Sequence, residues 1–123
     1  MSYVIHIWQS PVPRDLDHAW EIIEQLGADQ EAGGNSIPPA LVRLVDRITA
    51  RYPNWGNLPD DELDDERQVW TDGVVKANGP LLALGISTDW LDQALPFVLE
   101  EASRLGLFCY DMQLGMVCGP GLE

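Results

Sequence analysis

Two short segments, Tyr3–Trp8 and Leu81–Ile86, carry apolar side chains on both faces of an extended chain. In the first, Tyr3, Ile5 and Ile7 share one face, and Val4, His6 and Trp8 the other. A strand of this kind must be covered on at least one side and belongs at the centre of a sheet. Pro11 and Pro13 end the first segment. Asn78-Gly79 precedes the second and supplies the positive φ angles of a tight hairpin turn, with Gln68–Thr71 and Val74–Lys76 as the incoming arm. Pro80 favours a slightly longer loop.

Helical periodicity fills the rest. Asp15 caps a helix whose apolar stripe is Leu16, Ala19, Trp20, Ile23 and Leu26, with Gly27 as its stop and Gln30–Asn35 as a polar loop. Pro38-Pro39 opens a second helix with Leu41, Leu44, Val45 and Ile48 on its inner face, ending before Tyr52-Pro53. Ser87 or Thr88 caps a third, with Leu91, Ala94, Leu95, Val98, Ala102 and Leu105 inward and Gly106 at its end. Pro96 interrupts its hydrogen bonding and predicts a kink. Leu107–Tyr110 is a last full strand and Met116–Cys118 a short returning one.

Omitting the second helix leaves β-α-β-β-α-β, the split pattern of ferredoxin-like folds. The expectation is therefore one α+β domain over residues 1–123: a ferredoxin-like antiparallel sheet with an inserted second helix and a short C-terminal β extension. Tyr3–Trp8 and Leu81–Ile86 should be adjacent central strands, with the helices on one face.

Charge narrows the partners. The chain has 123 residues, with twenty Asp and Glu against seven Lys and Arg, for a net charge of −13. The seven cations, Arg14, Arg43, Arg47, Arg51, Arg67, Lys76 and Arg104, are scattered. Nucleic-acid affinity comes mainly from basic groups neutralising phosphates, so nucleic acid and anionic membranes are poor partners and basic protein surfaces good ones. No run approaches the ~20 apolar residues of a membrane span, and the N-terminus lacks a leader pattern; the expected location is the cytoplasm. Cys109 and Cys118 fit that compartment as free thiols, which lie near each other if the last two strands fold back.

No chemistry-bearing motif emerges. His6 and His18 are the only histidines, and neither has a local nucleophile or orienting carboxylate. A calcium loop starting at Asp60 would find Glu62 and Asp64, but Asp65 stands where glycine is required and Thr71 where the last glutamate belongs. Phosphate-loop and hydrolase signatures are absent from the sequence. The expectation is no catalytic, cofactor-binding or metal-ligating residue and no cofactor. The run Asp60-Asp61-Glu62-Leu63-Asp64-Asp65-Glu66 has six carboxylates in seven residues, between Trp55 and Trp70. Charge around an aromatic anchor is an interface composition. Trp55, Asp60, Asp61, Glu62, Asp64, Asp65 and Glu66 are the candidate partner-binding residues; a solvated loop beside two core tryptophans is the plainer reading.

The C-terminal stretch carries a recognisable pattern: Ala102, Gly106-Leu107, Tyr110-Asp111, Gln113, Gly115 and Val117. It resembles a group of small acidic bacterial proteins ending in A-x3-G-L-x2-Y-D-x-Q-x-G-x-V. The likeness extends to an opening strand that ends in an aromatic and prolines (Trp8 to Pro13), a mid-chain Tyr52-Pro53 and a tryptophan before the hairpin, Trp70. Some such proteins are encoded beside secreted or contact-delivered toxins. The resemblance implies an immunity protein of a bacterial toxin system; the acidity of the chain suits a cognate toxin with a basic surface, and a homodimer stays open. The other reading is a small cytoplasmic enzyme or ligand-binding domain, which a polar pocket around His6 would favour.

Overall fold

A computed structural model describes residues 2–9, 12–33, 37–52, 69–70, 79–111, 113 and 115–119. The element order is β1 (Ser2–Trp8), α1 (Leu16–Ala32), α2 (Pro39–Arg51), β2 (Leu81–Ser87), a short 3-10 turn (Thr88–Trp90), α3 (Leu91–Arg104), β3 (Phe108–Asp111) and β4 (Met116–Cys118). The fold is α+β, with the strands in one antiparallel sheet ordered β2-β1-β3-β4.

β1 is central, as its two apolar faces require. It pairs with β2 along its whole length, Ser2 opposite Ser87 and Trp8 opposite Leu81, and with β3 from Ile5–Asp111 to Trp8–Phe108. β2 ends the four-stranded sheet, but its free edge is not bare. Trp70 forms an antiparallel bridge to Ile86, and the Ser87 N–H donates to the Val69 carbonyl at 2.7 Å. The arm before Asn78-Gly79 thus meets β2 at this point with the direction a hairpin needs. The rest of the expected hairpin, residues 71–78, lies outside the described residues.

The helices do not share a face, which corrects the expectation. Ile5, Ile7, Leu82, Leu84, Ile86 and Cys109 pack against α2, through Leu41, Leu44 and Ile48, and α3, through Ala94, Val98 and Ala102. Trp8, Leu81 and Phe108 pack instead against Ala19, Ile22 and Ile23 of α1. The sheet is covered on both sides because β1, β2 and β3 are apolar on both sides. It is α2 that lies beside α3, with Arg47 and Glu101 paired across them at 2.9 Å.

α1 departs from the sequence reading in two further ways. Asp15 caps it as expected, accepting from the His18 N–H at 2.8 Å. Its buried stripe, however, is Ala19, Ile22 and Ile23, while Leu16 and Trp20 are 41% and 37% exposed. The helix also runs through Gly27 to Ala32 and stops at Gly33, whose φ of 81° only glycine adopts freely. The extra turn is anchored at β2: the Gln30 Oε1 accepts from the Leu81 N–H at 3.2 Å.

α3 runs through Pro96, which stays exposed. Its end is a Schellman motif. Gly106 (φ 75°) donates to the Ser103 carbonyl and Leu107 to that of Ala102. The spacing Ala102…Gly106-Leu107 therefore has a geometric cause: it ends the helix and aims β3 back along β1.

Candidate functional site

The acidic run Asp60, Asp61, Glu62, Asp64, Asp65 and Glu66, together with Trp55, lies outside the described residues. Trp70, its downstream flank, is a core residue, 1% exposed, with its indole N–H donating to the Tyr52 carbonyl at 2.6 Å. Tyr52 in turn sits edge-on to Trp70, Trp90 and Phe97.

The described surface holds a different candidate. Because α1 buries Ala19, Ile22 and Ile23, it turns Leu16, Asp17, Trp20 and Glu21 outward, and these line a groove of about 540 Å³ with Tyr110 of β3. The Trp20 and Tyr110 ring centroids are 6.0 Å apart and tilted by 42°. Asp17 and Glu21 stand one helical turn apart beside them. A smaller hollow lined by His18, Glu21, Ile22, Gln25 and Leu26 adjoins along α1. Paired aromatic faces with carboxylates at their rim suit a cationic side chain, a guanidinium above all.

His6 lies under this groove, its ring edge-on to Trp20 at 6.3 Å. Its Nδ1 is buried without a hydrogen-bond partner, and burial lowers its pKa. Cys109, a free thiol, is in the core on the opposite face of the sheet, so β1 and β3 hold it apart from His6. His18 is engaged at the helix start, accepting from the Arg14 N–H at 2.9 Å through Nδ1. Among the described residues no three His, Cys, Asp or Glu side chains gather as metal ligands, and no helix is long and apolar enough to cross a membrane.

His6 gives a pH signature. Its folded pKa lies below the unfolded value, so the neutral ring contributes stability above about pH 6.5 that is lost as pH falls through the folded pKa. His6→Leu should remove this part of the acid sensitivity. The check is the urea midpoint of both proteins from pH 7.5 to 5. Parallel curves would mean that His6 titrates as freely in the fold as out of it.

Sequence reasoning missed the groove because it placed Leu16 and Trp20 in the inward stripe of α1. It also missed Tyr3 and Asp111, 108 positions apart: the Tyr3 hydroxyl donates to the Asp111 carboxylate, which is 5% exposed. Burial, then the carboxylate, push the Tyr3 pKa to about 12. Comparison of the chain with profiles of protein families, with curated proteins and with solved structures finds no match.

Proposed function

We propose that this protein is an immunity protein: a binding inhibitor that neutralises a bacterial toxin with a basic surface. The observation that supports it best is the groove of Trp20, Tyr110, Asp17 and Glu21, which offers aromatic faces and carboxylates together on a chain of net charge −13. A toxin that acts on nucleic acid or nucleotides keeps a basic site for its anionic substrate, and an acidic inhibitor competes for that site. The C-terminal pattern through Tyr110-Asp111 points the same way by resemblance. For the fold we read the ferredoxin-like path, with α2 and α3 as its two helices and the chain at Trp70 as the strand beside β2. Support comes from the Trp70–Ile86 bridge and the antiparallel order. On that reading α1 is the added helix, and it carries the groove.

Co-expression with the product of the adjacent gene is the direct test. Restored growth and a co-purifying complex are expected; full toxicity with no complex would remove the immunity reading. Given a complex, the two acidic regions should separate kinetically. Trp20→Ala should speed dissociation by about 10- to 30-fold, the size of a desolvated cation–aromatic contact. Trp55→Ala should act in the same sense if its indole is an anchor. Changing Asp60, Asp61, Glu62, Asp64, Asp65 and Glu66 to Asn and Gln should instead slow association and flatten its salt dependence. Association rates at two ionic strengths decide; identical rates and slopes would make the run a solubilising surface only.

A further inference from the structure

Cys109 and Cys118 face each other as direct partners across β3 and β4. We propose that they form a redox-active dithiol, a site that a small disulfide such as oxidised glutathione converts to an intrachain Cys109–Cys118 disulfide stapling β4 to the sheet. Both thiols are free and both line one cavity of about 290 Å³, walled by Leu99 and Ser103 of α3 and by Gly119. Directly opposed residues of an antiparallel pair have Cα atoms roughly 4.5–5.5 Å apart, inside the range a disulfide bridges. β4 is a three-residue edge strand, so the staple would tie down the least supported strand of the sheet.

The two thiols differ in access, and that sets their order. Cys118 is half-buried on the edge strand, while Cys109 is 3% exposed in the core. The Cys118 thiolate attacks the small disulfide, forms a mixed disulfide and expels one thiolate. Cys109 then loses its proton and attacks Cys118 Sγ, expelling the second. The protein gives up two electrons and two protons, and the reagent becomes two thiols. Burial and the neighbouring Cys118 hold the Cys109 thiol up at about 12, so the second step is the slow one. It speeds up once Cys118 is capped and can no longer carry a charge beside it.

Incubate the folded protein with oxidised glutathione at pH 8 and follow it by intact mass, thiol titration and peptide mapping. Wild type should lose two hydrogens and both thiols without dimerising. The Cys109→Ala variant should stop as a glutathione adduct on Cys118, and Cys118→Ala should stay unmodified while folded. Urea midpoints of the reduced proteins identify any variant that has lost its fold. The oxidised wild type should melt at least about 5 °C above the reduced one. A wild-type protein that stops at the mixed disulfide, links between chains, or does not react would overturn the proposal. So would an internal disulfide that leaves the melting temperature unchanged or lower.

Discussion

Trp70→Ala should cost about 3–5 kcal/mol of stability, the loss expected for a buried Trp truncated in a core. A domain of this size has roughly 5–15 kcal/mol in total, so the variant should lose a large share of its stability. The side chain supplies both packing and a hydrogen bond: the indole belongs to the core cluster that holds Leu84 and Ile86 of β2 and Leu44 and Ile48 of α2, and its N–H donates to the Tyr52 carbonyl at 2.6 Å. The backbone bridge to Ile86 does not depend on the side chain. Trp70→Phe separates packing from hydrogen bond: it keeps most of the packing but leaves the Tyr52 carbonyl without its donor, for about 1–3 kcal/mol. Urea unfolding of the three proteins should rank wild type, Phe, Ala. An Ala variant within about 1 kcal/mol of wild type would show that the chain at 69–70 is not part of the core that β2 needs.

Tyr3→Phe should cost on the order of 1–3 kcal/mol at neutral pH, since it strips the hydroxyl from a buried carboxylate. It should also change the alkaline limb of stability. The folded pKa of Tyr3, about 12, lies above its ordinary 10. The stabilisation is therefore complete below pH 10 and lost as pH rises toward 12. Cys109, raised to about 12 from its ordinary 9, contributes a loss of the same sign that starts lower, so wild-type stability should fall across the whole window. The difference between wild type and Tyr3→Phe isolates the tyrosine: it should shrink from pH 10 upward. Urea midpoints between pH 8 and 12 measure it. A difference constant over that range would mean that the pair does not couple to the ionisation of Tyr3.

Local pattern determined much of this protein. The doubly apolar composition of Tyr3–Trp8 and Leu81–Ile86 marked both as strands covered by packing, and they pair antiparallel as expected; β1 is central, whereas β2 ends the four-stranded sheet. Asp15 and Gly106 marked a helix start and a helix end correctly, since caps are satisfied by atoms a few residues away. What the tertiary structure decided is how those pieces meet. In α1 the residues at 16, 19, 20 and 23 and those at 19, 22, 23 and 26 make two overlapping stripes of comparable hydrophobicity. Docking on Trp8 and Phe108 selected the second and left Trp20 at the surface, which created the groove. The choice of face was equally illegible, because the connections into α1 and α2 reach either side of a sheet. The partner of Tyr3 depended on strand order and register, which arise only when both faces of β1 are covered at once: sequence periodicity specifies which residues need burial, and packing specifies against what.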